Sequence, residues 1–381
     1  MDNLILIDKK YLLMFTRDVA VNEMRVFVTD CEGPISKNDN AFELVSHYIP
    51  GGDRFFTIVS RYDDVLADVV KRPGYKAGDT LRLILPFLKA YGATDEGMRK
   101  FSARNILLVS GAIETLKYVL EIMPSFIVST SYEHYINALC EATGFPFSNT
   151  YCTKVKIDEY ELKDFEAERI RELALEIREM PIIEIPRDAK SLDDLSSSDI
   201  AVVRRLDEIF WSEISKMSAG RMLREVNPVG GYEKANAVKE ISSNFKVELS
   251  DVIYVGDSIT DVESFRLVRS GGGLTVSFNG NAYAVREAEI AVLSKHTIII
   301  SILADVFNKG GKEAVMNLVE NWSLSATEKS CNALLANKLK NIFDSDLPKI
   351  EVVTPSNMER LMYESSIFRK TVRGESIGAL G

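Results

Sequence analysis

Histidine and cysteine are scarce in this chain of 381 residues, and neither is grouped. The three histidines, His47, His134 and His296, are too scattered for an imidazole metal cage, so any metal is expected to be oxygen-ligated. Cys31, Cys140, Cys152 and Cys331 show no CxxC spacing, and no secretory signal with a cleavage site precedes them, so a reducing cytoplasm is the expected location. Cys31 is expected to be a buried structural thiol. No apolar run reaches the roughly 18 residues that span a membrane. The stretch "TIIISILADVF" at 297–307 reads instead as a buried element. Positive charge is also in deficit: 46 Lys and Arg against 56 Asp and Glu leave a net −10, which argues against a nucleic-acid binder that depends on neutralising phosphates.

Apolar residues make up 46% of the chain, enough for a substantial core in two or three domains. From residue 25 the pattern is βα. A strand is expected at 25–30, then the apolar "NILLVS" and the helix-like "GAIETLKYVLEIM", then a strand "SFIVST" at 125–130. The helix "YEHYINALCEATG" follows and ends on a glycine cap at Gly144. Farther on come the helix "GYEKANAVKEISSNF", the strand "VIYVG" at 252–256, another helix from about 258, and the strand "LTVSF" at 274–278. Strands that are apolar throughout and alternate with helices predict a parallel sheet covered on both faces.

Two stretches break the alternation. Residues 37–105 are helix-rich and read as an inserted lid. Residues 158–226 carry the amphipathic "YELKDFEAERIRELALEIREM" and read as a second insertion. For both, packing or contact with a second copy stands as the alternative to a substrate role. The tail holds one expected helix, "ATEKSCNALLANKLKNIF", then a polar stretch ending "FRKTVRGESIGALG", expected to be disordered or docked on a partner. Residues 1–23 precede the first strand as an N-terminal extension, with Met24 an alternative start.

The chemistry gathers at strand ends. "VFVTDCEGPIS", 26–36, runs β-prone residues into a turn that presents Asp30 and Glu32. "IYVGDSITDVESF", 253–265, does the same with Asp257 and Asp261. In an open parallel sheet such ends meet in the crevice where ligands bind. Four carboxylates there would repel one another and raise each other's pKa, and a hard divalent ion such as Mg²⁺ resolves the conflict. "IVSTSY" adds hydroxyls at Ser129, Thr130 and Ser131 beside a helix start, a seat for a phosphate. Lys234 opens the helix before the second acidic strand, where the helix dipole disfavours a cation, and so calls for a use.

That order of Asp-x-Glu, Ser, Lys and Gly-Asp-x₃-Asp resembles the haloacid-dehalogenase-like (HAD) superfamily, and within it the phosphoserine phosphatase and phosphoserine:homoserine phosphotransferase branch. "TDCEGPIS", "SYEHYINALCEATGFP" and "GDSITD" are similar to three of its signature stretches. The resemblance implies an α/β fold: a Rossmann-like HAD core with a parallel sheet built from 24–36, 106–157 and 227–310. It places 37–105 as a helical cap inserted after the first strand. The second helical insertion at 158–226 and the C-terminal extension at 311–381 fall outside it. It further implies that Asp30 is the nucleophile, that Glu32 is the acid and base where the family usually has Asp, and that Ser129 holds a phosphoryl oxygen. Lys234 would compensate charge, and Asp30, Glu32, Asp257 and Asp261 would hold Mg²⁺. Thr130 and Ser131 stand where the branch commonly has glycine after the serine.

The function implied is a Mg²⁺-dependent phosphatase acting on a small phosphorylated metabolite through an aspartyl-phosphate. Phosphotransfer to an alcohol acceptor is the alternative chemistry. The opening "TDCEGPIS" also resembles archaeal accessory subunits of an energy-converting hydrogenase, which implies a binding role with a protein partner or second copy on the insertion or tail. Arg54, Arg61, Arg72 and Arg82 of the cap are candidate readers of a substrate anion.

Overall fold

The computed structural model describes residues 24–186, 188–344 and 346–378, and the expected extension at 1–23 lies outside them. Seven strands form one sheet in the order β3-β2-β1-β4-β5-β6-β7. They are β1 (Val26–Thr29), β2 (Ser125–Tyr132), β3 (Thr150–Thr153), β4 (Val252–Gly256), β5 (Leu274–Phe278), β6 (Ile290–Leu293) and β7 (Lys349–Val352). Every pairing from β3 through β6 is parallel, and only β7 runs antiparallel, at the edge beside β6.

The period of two in β1 explains the layers. Val26 and Val28 face one side with Val238 and Ile241 of helix Tyr232–Phe245, while Phe27 faces the other with Ile299 and Leu303 of helix Ile298–Glu320. Both faces are therefore covered, as continuous apolar strands require. The stretch at 297–307 is the buried first half of that long helix. Among the described residues no helix is long and apolar enough to cross a membrane.

The two helical blocks, separate in sequence, share one apolar core. Phe55, Tyr62 and Phe87 from the first pack with Ile170, Leu173, Leu206 and Phe210 from the second. The Tyr62 and Phe210 rings stack at 5.7 Å, and the Tyr62 hydroxyl donates to Asp207 at 2.6 Å. An amphipathic helix such as Asp164–Glu179 cannot bury its stripe alone, and the first block supplies the matching face.

Residues 105–110, apolar in sequence, make isolated bridges from Leu108 to Ser36 and from Ser110 to His296. Two expectations need correction. The single helix expected over 326–343 is two, Leu324–Ser330 and Ala333–Phe343, because the Asn332 side chain accepts the Leu334 N–H at 2.9 Å and starts a new helix. The tail, expected to be disordered or docked on a partner, is ordered against this chain's own sheet over its described residues. β7 extends the sheet, and helix Met358–Arg373 returns over its end, burying Leu361, Met362, Ser365 and Arg369 along one face. Leu361 and Met362 pack on Val285 and Ala291, and Ser365 Oγ donates to the Gly280 carbonyl at 2.6 Å. The polar composition of the tail conceals this stripe because its last member is an arginine.

Candidate active site

Asp30 follows β1 and is fixed between the ends of β2 and β4, its N–H donating to the Val255 carbonyl at 2.8 Å. The turn beyond it needs Gly33: φ is +104°, and a Cβ there would lie 2.1 Å from Asp257 Oδ2. The first acidic turn is thus pressed against the second. Asp30 Oδ1 accepts the Cys31 N–H at 2.6 Å, and Lys234 Nζ lies 2.6 Å from Oδ2. The Cys31 thiol points into an apolar cluster with Ile127 and Leu139, and burial pushes its pKa well up, so it is structural.

Asp261 is held by four donors. Its Oδ2 accepts the N–H groups of Asp257 and Ser258 at 2.9 and 3.0 Å, and its Oδ1 accepts Lys234 Nζ at 2.8 Å and the Tyr254 hydroxyl at 2.7 Å. Lys234 is fully buried; burial opposes its charge, but Asp261 and Asp30 together push its pKa up and keep it an ammonium. Burial lifts Asp30 to about 7, with Lys234 pulling it down and Asp261 and Asp257 adding to the rise.

One carboxylate oxygen each from Asp30, Asp257 and Asp261 lies within 4.8 Å of the others. An anionic, all-oxygen set of this size suits a hard divalent ion. Asp257 Oδ2 is taken by guanidinium groups, but no hydrogen bond from the described residues reaches Oδ1, so a donor remains. Glu32 stands apart from the group. Its Oε1 accepts the Asn40 N–H at 2.7 Å at the start of helix Asn40–Tyr48, and burial, then Asp39, pushes its pKa well up.

A cavity of about 110 Å³ joins these residues, lined by Asp30, Glu32, Ser129, Thr130, Ser131 and Asp257 together with Phe56, Ser60 and Leu81 of the first helical block. Ser129 Oγ accepts the Ser131 N–H at 3.2 Å. The strand-end and helix-start residues read from the sequence as catalytic, metal-holding or phosphate-seating therefore gather around one cavity, counting the buried Lys234 and Asp261 bonded to Asp30 or to each other beside it.

The four arginines of the first helical block expected to read a substrate anion do not line it. Arg54 donates to the carbonyls of Arg178 and Met180, while Arg61, Arg72 and Arg82 pair with Asp64, Asp207 and Asp79. The arginines that do are Arg369 and Arg373, both from the C-terminal helix and both bonded to Asp257. Their one signal in the sequence is the spacing of four within "FRKTVR", which puts both on one helical face.

The haloacid dehalogenase-like hydrolase family model matches residues 110–302, a range that holds Ser129, Lys234, Asp257 and Asp261 and begins after Asp30. The solved structure of gene product AF1437 from Archaeoglobus fulgidus is similar at 26% identity and TM-score 0.75, over 94% of this chain and 99% of that one. A phosphoserine phosphatase in apo form aligns at 14% identity and TM-score 0.44, over 73% of this chain and 97% of that one. A phospho-aspartyl intermediate analogue of phosphoserine phosphatase gives the same identity and score, over 73% and 98%. No curated protein matches. With its family match spanning half its length, this chain belongs to the haloacid dehalogenase-like hydrolases.

Proposed function

We propose that the chain is a Mg²⁺-dependent phosphatase that hydrolyses a small phosphorylated metabolite through an aspartyl-phosphate on Asp30. The observation that carries this reading is the convergence of Asp30, Asp257 and Asp261 within 4.8 Å, with Lys234 bridging Asp30 and Asp261. Asp30 attacks phosphorus and the substrate oxygen leaves, so one hard displacement becomes two easier ones. Lys234 holds Asp30 in place and offsets charge near the transferring group. Glu32, whose environment favours the protonated form, gives its proton to the leaving oxygen and then takes one from the water that cleaves the intermediate. Ser129 orients the phosphoryl group. Asp30, Asp257 and Asp261 would hold or orient Mg²⁺, with Glu32 outside that set on the wall of the same cavity, and the ion when bound would supply compensation for phosphoryl charge.

The two helical blocks act here as a single cap that excludes water and limits substrate size, since both contribute to one apolar core and the first also lines the cavity. Hydrolysis of an aryl phosphate with and without Mg²⁺ tests the proposal. Metal-stimulated release of phosphate that Asp30→Asn abolishes supports it, and turnover indifferent to that substitution refutes it. Added alcohol diverts phosphate from water only if the chain is a phosphotransferase.

A further inference from the structure

Three buried polar atoms on residues that line the cavity lack partners among the described residues: Thr130 Oγ1, Ser131 Oγ and Arg369 Nε. A buried polar group left unpaired is costly, so three of them around one cavity point to an acceptor that binds there. The groups in common are hydroxyls and a guanidinium, the donors that recognise phosphate and carboxylate oxygens.

The two arginines of the C-terminal helix divide the work. Arg373 spends Nε on the Lys37 carbonyl at 3.1 Å, one terminal nitrogen on the Asn38 carbonyl and the other on Asp257 at 3.1 Å. It fastens the helix to the loop after β1. Arg369 donates one terminal nitrogen to the Asp257 carboxylate and, at 3.2 Å, to the Asp257 carbonyl, with Nε left over. It is 3% exposed, too buried to serve as a solvated surface charge. The four cap arginines singled out in the sequence are committed elsewhere.

Resting on the phosphatase reading above, we propose that Arg369 is a substrate-binding residue. Its guanidinium, with the hydroxyls of Thr130 and Ser131, binds oxygens of the phosphorylated substrate, and docking of the C-terminal helix completes the site. Arg373 is a positioning residue. A cavity of about 110 Å³ admits a phosphoryl group on a short chain, so the substrate class is a small phosphomonoester.

The test is calorimetric titration of the full-length protein with inorganic phosphate, in Mg²⁺, for wild type, Arg369→Gln, Arg369→Lys and Ser131→Ala. Loss of a charge-assisted donor is expected to weaken phosphate binding about tenfold in Arg369→Gln, with partial retention in Arg369→Lys and a smaller loss in Ser131→Ala. KM for an aryl phosphate rises by a similar factor while kcat changes little. Should Arg369→Gln fail to fold, Arg369→Lys and Ser131→Ala decide: wild-type phosphate affinity in both overturns the proposal. Folded Arg369→Gln with unchanged phosphate affinity overturns it too. So does faster turnover with tighter Mg²⁺ binding, which makes the arginine a plug on Asp257. Arg369-dependent phosphate binding by a protein that hydrolyses nothing upholds this inference while the phosphatase reading fails. Hydrolysis with Arg369-independent affinity does the reverse.

Discussion

Lys234 Nζ stands 2.6 Å from Asp30 Oδ2 with its side chain wholly out of solvent, and the same nitrogen reaches Asp261 at 2.8 Å. One ammonium thus ties the end of β1 to the loop after β4. Removing it with Lys234→Met leaves two buried carboxylates without their shared cation, for which a stability loss of about 3–5 kcal/mol is expected. Hydrolysis is expected to fall about 100-fold or more. Adding Asp261→Asn neutralises one of the two carboxylates, so urea unfolding should show part of the stability restored while activity stays low. Full activity in the single variant would remove Lys234 from the chemistry.

Gly33→Ala tests the contact between the two acidic turns. The new methyl would fall 2.1 Å from Asp257 Oδ2 on a backbone at φ +104°. Strain of about 1–3 kcal/mol follows from the backbone alone. On the proposed function, displacement of Asp257 should also weaken Mg²⁺ binding about tenfold by calorimetry, since a proposed ligand is moved. Gly74→Ala is the control: its φ is +75°, but nothing lies within 4 Å of the added methyl, so it should lose stability and keep its metal affinity.

The titration of Asp30 has two consequences of opposite sign. Burial lifts it from 3.8 to about 7, and attack on phosphorus needs the ionised form. At low Mg²⁺, kcat/KM should therefore fall about tenfold per unit below pH 7. More Mg²⁺ should move that limb to lower pH, because a neighbouring cation favours the carboxylate. Stability runs the other way. The folded state binds this proton more tightly than the unfolded chain, so ionising Asp30 weakens the fold as pH rises from about 4 to about 7. Thermal denaturation in a chelator should show Asp30→Asn gaining on wild type through that window and holding its lead above it.

The shared core of the two helical blocks predicts that they unfold together. Phe210→Ala removes a fully buried ring stacked on Tyr62, and a loss of about 3–5 kcal/mol is expected. Amide exchange should then quicken in helix Gly52–Asp64 of the other block, while β1 and β4 stay protected. Exchange confined to the second block would show two independent units.

Much of the site was legible because strand and acid are adjacent in sequence. Asp30 and Asp257 each follow a β-prone run, so the parallel sheet that brings the runs side by side brings the carboxylates too. Lys234 could be singled out by its unfavourable place at a helix start. Arg369 gave no such cue, since an arginine on a polar helix is usually solvated and its burial depends on Asp257, 112 residues earlier. β7 was hidden for a related reason: Lys349–Val352 has one buried residue and sits on an edge, too little alternation to read. The union of the two blocks rests on long-range packing between faces that each look complete as an amphipathic helix.

The central claim is that Asp30 carries the phosphoryl group. Rapid acid quench of the full-length protein during turnover of an aryl phosphate in Mg²⁺, followed by peptide mass spectrometry, reads this directly. A phosphoryl adduct on Asp30 that is absent in Asp30→Asn, and that accumulates when Glu32→Gln slows its hydrolysis, is the predicted result. Steady phosphate release with no adduct on Asp30 in either wild type or Glu32→Gln would contradict the account.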